Sequence, residues 1–521
     1  MKAQDYKISS EKFVFRSHGE RLHDKKLETK PVSYFKDAFN RFAKNKASIV
    51  ASFIIGIIIL FAIIAPYCTA YKVADEDKTY AFALPRNEWF YEHGIKFWDG
   101  GKETEVNKVT YERYLAVQEE TRRTVIMTEP TVTEEYDLAK NKNYIYTFRL
   151  DTYSQVGAEY IYVNLEEYQR IQRYQDIFGV QIILPITEFS RRPPTDHHEH
   201  KEANIWYETR VGAGRKLEIV YADQANKTGF TNIYAPYNPS VDPYESVMRW
   251  EGDEPLYNYS RKMDGDQYEL RVDYYEYYQY IHYFKNDGIT KPSFILGAND
   301  AGKDIFVCLA SGARFSLILA VIVSSVNLFI GAIYGSIEGY YGGKIDLLME
   351  RFVEILGAIP FMIVITLLKY HFDVSHMLIL FISFFLTGWT GMAGRTRMQF
   401  YRYKHQEYVL VSRTLGANDR RVMFKHIFPN AIGTLITSSV LVIPGVIFSE
   451  TSLSYLNIIN LSTGNMTSIG TMLAKGQSYL FTYPHLILFP AIFISLLMLS
   501  FNLFGNGLRD AFNPSLRGTE E

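Results

Sequence analysis

Residues 47–67 read ASIVASFIIGIIILFAIIAPY, an almost wholly apolar run. About twenty residues at a rise of 1.5 Å cross the hydrocarbon core of a bilayer. In lipid the backbone has no water to bond with, so such a run folds as a helix that satisfies its own polar groups. Lysines precede it, and that excess of positive charge places the N-terminal side in the cytoplasm. The run is too long for the core of a cleavable leader and has no small-residue cleavage site behind it. The first 46 residues are polar. Near their end Tyr34, Phe35, Ala38, Phe39 and Phe42 form an amphipathic stripe flanked by Lys36, Arg41, Lys44 and Lys46. That stripe fits a helix lying on the inner membrane surface, against lipid, or the solvated entry turn of the span that follows.

Five further apolar runs lie near the other end of the chain, at 315–334, 347–370, 377–393, 431–448 and 485–504. The expected count is therefore six spans. Pro360 interrupts the third, and proline breaks or kinks a helix by removing a donor and crowding the preceding turn. Pro444 and Gly445 mark a flexible point in the fifth. Glu338 to Asp346 reads as a short turn between the second and third spans. Asp346, Glu350, Arg351 and Glu354 sit at the inner end of the third, where they can pair or snorkel. The segment 450–483 is moderately apolar and carries glycine, which suits a partly re-entrant or helical outer segment.

Between the fourth and fifth spans the chain turns basic. Arg395, Arg397, Arg402, Lys404, Arg413, Arg420, Arg421 and Lys425 face only Glu407 and Asp419 as acids. This asymmetry puts loop 395–430 in the cytoplasm, and counting spans from the N-terminus gives the same side. Both termini are then cytoplasmic. Within the loop, Tyr408, Val409, Val411 and Leu415 recur at helical spacing and Gly416 ends the helix. Asn418 or Asp419 caps the next one, which runs through Val422, Met423 and Ile427 to Pro429. Helix, tight turn, helix makes a projecting elbow that suits docking to a soluble partner. A helical loop without a partner has the same spacing.

The block 68–295 then lies outside. It has no run long enough to span and is rich in tyrosine. Alternating stretches at 144–150, 160–165 and 216–221 read as strands, and 165–176 and 274–284 as helices. The expectation is a folded α+β or mostly β domain. His197, His198 and His200 in DHHEHK are read as a solvated loop and not as a metal site. Cys68 and Cys308 are too few for a disulfide scaffold or a zinc site and read as free thiols at helix ends, with a disulfide between the two as the alternative. Gly297-x4-Gly302-Lys303 nearly matches a phosphate-binding loop. The next residue is Asp304, where a Ser or Thr hydroxyl would be needed for magnesium, and its carboxylate would repel phosphate. A net charge of −2 points to no nucleic-acid partner.

Several of these stretches resemble one family. EYVLVSRTLGANDRRVMFKHIFPN (407–430) resembles the EAA loop of bacterial ABC-importer permeases, through Glu407, Tyr408, Val409, Arg413, Leu415, Gly416, Ala417, Asp419, His426, Pro429 and Asn430. Ser412 departs from the commoner Ala. LGANDAGKD (296–304) resembles the GTD-x-x-GRD segment of peptide-importer permeases, with Asn299 and Lys303 as departures. The GYYGG turn (339–343) and the GLRD-x-x-NP ending (507–514) resemble the C-type subunit of the oligopeptide, dipeptide and nickel branch. The likeness covers roughly 34–67 and 296–518; the large outer block is a departure from it.

The resemblance implies an α-helical polytopic protein of the bacterial cell membrane with the ABC type I importer permease fold. Six transmembrane helices are expected, with an extracellular domain inserted between the first and second. The organisation is a cytoplasmic segment 1–46, a first span 47–67, the insertion 68–295 and a permease core 296–518. The implied function is import of oligopeptides delivered by an extracellular substrate-binding lipoprotein, or of dipeptides, nickel chelates or glutathione by the same mechanism. The implied partners are a second homologous permease and two ATP-binding-cassette ATPases, which carry the ATP and magnesium; this chain binds no cofactor and is not an enzyme. The elbow residues Glu407, Tyr408, Arg413, Leu415, Gly416, Ala417, Asn418 and Asp419 would couple to the ATPases, and Pro360, Pro444 and Gly445 would act as hinges. A membrane-anchored receptor with the insertion as its working part is the alternative class; it predicts one or two spans and a signalling domain. No GxSxG or HExxH motif supports a membrane enzyme.

Overall fold

The computed structural model describes residues 34–136, 142–184, 205–207, 219–221, 248–251, 254–257, 261–263, 267–462 and 466–512. The DHHEHK run, the first 33 residues and the last residues of the GLRD-x-x-NP ending lie outside these. The chain begins with α1 (Tyr34–Lys44) and α2 (Lys46–Cys68). Asn45 separates them and caps α2, its Oδ1 accepting from the backbone of Ala47 and Ser48 at 3.1 and 3.3 Å. One face of α2, with Ala51, Ile55, Ile58, Ala62 and Ala65, is buried, while Ile49, Phe53, Ile57, Leu60 and Ile64 stay exposed. An apolar face that no protein covers is what a lipid-facing helix presents. The stripe on α1 does more than lie flat. Ala38 is buried, and the Phe42 ring packs edge-on to Phe504, 5.4 Å between centroids.

The insertion is an α+β unit. After α3 (Glu88–Glu92) come β1 (Gly101–Asn107), α4 (Lys108–Thr121), β2 (Thr131–Tyr136) and β3 (Lys142–Asp151), and these three strands form an antiparallel sheet in the order β1-β3-β2. Next are β4 (Ala158–Asn164), α5 (Leu165–Phe178), β5 (Ile183–Leu184) and the short strands β6 (Ile205–Tyr207), β7 (Ile219–Tyr221), β8 (Met248–Glu251) and β9 (Glu254–Tyr257). β10 (Arg261–Met263), β11 (Gln267–Asp273) and α6 (Tyr274–Lys285) complete it. β11 pairs with β10, β4 and β5 in a second antiparallel sheet, with Leu270 opposite Ile161. Helices α5 and α6 pack on it and bury Tyr168, Ile171, Leu270, Val272 and Tyr280.

The two ends of the insertion close on each other. Tyr153 Oη donates to Leu84 O at 2.6 Å and accepts from Phe294 N at 3.2 Å. Arg86 N donates to Phe294 O, and Phe82 N to Asn299 O. A chain whose ends meet can be spliced between two helices at little cost, because loop-closure entropy grows slowly with length. The glycines of the 296–304 segment serve this seat. Gly297 and Gly302 have φ of +83° and +74°, and a Cβ on Gly302 would lie 1.7 Å from Asp77 O. They form a packing turn against the insertion.

Helix α7 (Ile305–Tyr341) starts there, capped by Asp304, whose Oδ1 accepts from Phe306 N at 2.9 Å. Its 37 residues reach about 55 Å. The expected second span and the start of the expected turn at Glu338 are both inside it. The helix stops only at Gly342 and Gly343, both at positive φ. Then follow α8 (Gly343–Gly357), α9 (Phe361–His371), α10 (His376–Thr387), α11 (Thr390–Tyr403), α12 (Glu407–Thr414), α13 (Asp419–Arg421), α14 (Phe428–Tyr455), α15 (Ile469–Gln477) and α16 (His485–Phe512).

Among the described residues five helical stretches are long and apolar enough to cross a membrane, and the α8–α9 pair makes a sixth if counted as one span. That pair is bent by 70°. The expected third span is thus two helices, broken over residues 358–360, where Pro360 has no N–H to continue the ladder. By contrast α14 runs unbroken through Pro444 and Gly445.

Helix α7 is the axis of the bundle. Gly331, Gly335 and Gly339, four apart, let α11 approach it closely: a Cβ on Gly335 would lie 2.1 Å from Ala393 O. Small residues at this spacing are how helices pack closely in lipid. Arg314 on α7 repairs a defect in α2. Pro66 cannot donate to Ala62 O, one turn back, and Arg314 Nε and Nη2 donate to that oxygen at 3.0 and 2.8 Å.

Candidate functional site

The elbow lies at the end of α7 remote from the insertion. Helix α12 ends at Thr414, and the chain reverses through Gly416 at φ +82°, in the left-handed region that favours glycine. A Cβ there would meet nothing within 4 Å. Asn418 then caps the next helix, its Oδ1 accepting from Arg421 N at 2.9 Å. Asp419 takes a different role. Its Oδ1 accepts from Tyr340 Oη at 2.5 Å, and Arg413 stacks its guanidinium on the same Tyr340 ring, 4.9 Å from the centroid. Tyr340 thus reads both limbs of the elbow from the last turn of α7.

Under this polar clasp sits an apolar seat of Tyr340, Phe400, Val409, Val422, Met423 and Ile427, all buried. Residues 419–455 continue as one helix, with a π-helical stretch at Val422–Ile427. Such π turns concentrate at functional sites. Of the elbow residues named from sequence, Tyr408 accepts a long hydrogen bond from Asn430 Nδ2, 3.3 Å, and Ala417 packs against the seat. Glu407 opens α12 and is exposed. Leu415 touches little, being 82 % exposed. Beside it Arg420, Arg421 and Lys425 surround the exposed Phe424 in a shallow groove with Asn418 and Pro429. A polar rim around exposed apolar side chains is the composition that marks interaction surfaces.

Behind the elbow, Arg397 of α11 gathers acids from two helices. Its Nε lies 2.6 Å from Asp346 Oδ1 and 3.4 Å from the buried Glu338, and its Nη1 lies 3.3 Å from Glu350. Tyr401 also donates to Asp346, and Lys404 Nζ donates to Gly339 O at 3.0 Å. The acids at the start of the third span therefore pair mainly with the basic loop, while Arg351 and Glu354 pair with each other.

At the other end of α7, Glu450 of α14 is fully buried and accepts from three serines. Ser316 donates at 2.7 Å, Ser468 at 2.5 Å and Ser454 at 3.3 Å. Sequence reading named neither this cluster nor Tyr340 as a contact. Only a lone acid beside an apolar run signals the first, and only a tyrosine in a glycine-rich turn the second. Cys68 is exposed, Cys308 is buried, and both are free. Among the described residues no group of His, Cys, Asp or Glu is arranged to hold a metal.

The comparisons with known proteins agree with this architecture. Residues 327–518 match the family described as the binding-protein-dependent transport system inner membrane component. Residues 33–85 match the N-terminal transmembrane domain of oligopeptide transport permease C. The chain is 42 % identical over 221 residues to the oligopeptide transport system permease protein OppC of Bacillus subtilis, covering 42 % of this chain and 72 % of that protein. It is 34 % identical over 265 residues to the dipeptide transport system permease protein DppC of Lactococcus lactis, covering 50 % and 73 %. It is 37 % identical over 222 residues to OppC of Haemophilus influenzae, covering 42 % and 70 %. Most of the insertion falls between the two family matches. The chain belongs to the binding-protein-dependent ABC-importer permeases, in the C-type group of the oligopeptide and dipeptide branch.

Proposed function

We propose that this chain is one of two permeases lining the path of a peptide importer, and that the elbow at 407–430 is where an ATPase subunit grips it. The carrying observation is the Tyr340–Asp419–Arg413 clasp: it fastens the elbow to a helix that runs unbroken to the insertion. Two ATP-binding-cassette subunits supply ATP hydrolysis, a second homologous permease completes the path, and an extracellular lipoprotein delivers oligopeptides. The elbow and both termini face the cytoplasm, as the basic loop requires, and the insertion faces outside.

The mechanism follows from which joints are stiff. When the ATPases close, the elbow moves, and the clasp and its apolar seat carry α7 and α14 with it. The α8–α9 break at Pro360 supplies a joint between segments that need not move together. Coupling requires that the elbow contact differ between the two states. Dipeptides by the same route are the second reading, favoured by the match to the Lactococcus lactis protein over 50 % of this chain.

The test is a pull-down from solubilised membranes with wild type and a Gly416→Trp, Arg413→Ala double variant. Wild type is expected to bring down two ATPases, a second permease and a lipoprotein, and the variant to lose only the ATPases. If no ATPase accompanies either protein, the coupling role is wrong.

A further inference from the structure

Residues 87–98 of the insertion, NEWFYEHGIKFW, leave three large apolar side chains on the surface. Trp89 is 57 % exposed, Phe97 is 63 % exposed, and Ile95 is exposed between them. The base of this loop is fixed. Asn87 N donates to Trp98 O at 2.8 Å and closes it. Asn87 Oδ1 accepts from Trp89 N at 3.0 Å and caps α3, and Arg149 Nη2 donates to Lys96 O at 2.8 Å. The chain turns at Gly94, φ +64°. A held loop that presents apolar side chains outward marks a protein or membrane contact.

Ring contacts join the loop to the bundle. Trp89 packs edge-on to Phe90, Phe90 to Phe97 and Phe97 to Trp98, with centroids 5.2, 6.4 and 4.5 Å apart. Trp98 then stacks on Phe489 of α16, 5.9 Å between centroids and 27° between planes, and its Nε1 donates to Ile295 O. Phe489 sets the depth of the loop. The 28 residues of α16 reach about 42 Å, and the hydrocarbon core of a bilayer is about 30 Å thick. With the excess shared between its ends, about 6 Å of α16 projects on each side. Phe489, one turn in from His485, therefore stands at the boundary between acyl chains and headgroups. Beside it, exposed Leu488, Ile492, Leu496 and Leu499 form the stripe that α16 turns to lipid.

We propose that loop 87–98 is an interfacial anchor, with Trp89, Ile95 and Phe97 seated in the bilayer leaflet on the insertion's side of the membrane. The occupant is lipid because the aromatic chain continues from the lipid-facing surface of α16. Tryptophan and phenylalanine suit that depth, and the exposed Glu92, His93 and Lys96 stay among the headgroups. The insertion is thereby held to the membrane at a point away from its two covalent joins. The anchor depends on α16 spanning the bilayer and not on what the protein transports.

The experiment is tryptophan quenching of the full chain in nanodiscs, one copy per disc, with phosphatidylcholine brominated near either the carboxyl or the methyl end of its acyl chain. The emission of wild type minus that of Trp89→Phe isolates Trp89. Carboxyl-end bromine is expected to quench it at least about twofold more than methyl-end bromine, and aqueous iodide is expected to quench it little. Trp89→Phe keeps an aromatic ring at an exposed position and should fold. Phe97→Trp in that background should return an emission with the same preference. Quenching by iodide with none by either lipid places the loop in water and overturns the proposal, and stronger quenching from the methyl end refutes the interfacial depth. Discs with two copies of the chain, or with the assembled complex, should keep the lipid quenching. Its loss there assigns the face to a protein partner and also overturns the proposal.

Discussion

Tyr340→Phe is the sharpest probe of the elbow. It deletes the hydroxyl that donates to Asp419 at 2.5 Å but keeps the ring on which Arg413 stacks and the seat that buries it. A hydrogen bond to a charged group contributes about 1.5–3 kcal/mol. Asp419 is exposed, and solvent screening brings the expected loss to about 1 kcal/mol. At about 1.4 kcal/mol per tenfold, that is about a fivefold loosening of the clasp. The apolar seat remains, so the variant should express as wild type does and should keep its ATPases in a pull-down. Reconstituted in proteoliposomes with its partners, it should take up several-fold less peptide per ATP hydrolysed. Tyr340→Ala removes the ring as well, a large-to-small change in a buried seat that costs about 3–5 kcal/mol, and it should lose both uptake and ATPase recovery. Equal uptake per ATP in wild type and Tyr340→Phe would refute the claim that this hydroxyl transmits movement to α7. Indistinguishable behaviour of Phe and Ala would refute the division between clasp and seat.

Other substitutions test the remaining parts. Gly416→Trp meets open space, so its cost is about 1–2 kcal/mol of left-handed backbone strain; it should accumulate normally in membranes and abolish uptake, and wild-type uptake would sink the coupling role. Gly335→Leu drives a side chain into Ala393 O and should abolish accumulation of folded protein, read by size-exclusion chromatography in detergent. Arg314→Met leaves Ala62 O without its donors, costing about 1–3 kcal/mol, and Pro66→Ala should rescue it by restoring the helical N–H; a double variant no more stable than Arg314→Met refutes the repair. Burial, and next the charge of Asp273, push the Glu276 carboxyl up from 4.5 to about 7. The folded state therefore holds this proton more tightly than the unfolded state does, and between about pH 4.5 and 7 rising pH works against the fold. Glu276→Gln should gain thermal stability over wild type across that window, measured by unfolding scans at pH 5 and pH 8, and a constant difference would refute the assignment.

The local chemistry of the elbow was legible in sequence because its signals are short-range. Gly416 lies where the backbone turns left-handed, and Asn418, one of two candidate caps, bonds three residues ahead. Pro360 was legible as a break for the same reason, since a missing donor acts on its own turn. Helix ends were harder to read. The expected turn of 338–346 begins late, at Gly342, because Glu338 is buried against Arg397 of a different helix and the ladder of α7 continues to Tyr341. Pro444 and Gly445 mark an expected flexible point, and α14 continues as a helix through both.

The distribution of apolar and basic residues alone determined that this chain is a multi-span membrane protein with one polar elbow and one large insertion. Lipid offers the backbone no partners, so any run long enough to cross must become a helix, and that constraint needs no tertiary information. Which side chains meet at the ends of those helices depends on the angle and depth at which the helices cross. The clasp of Tyr340 on Asp419, 79 positions apart, the serines around Glu450 and the stack of Trp98 on Phe489 all join residues from separate elements. Only packing decided them, because contacts between helices have no period in the sequence.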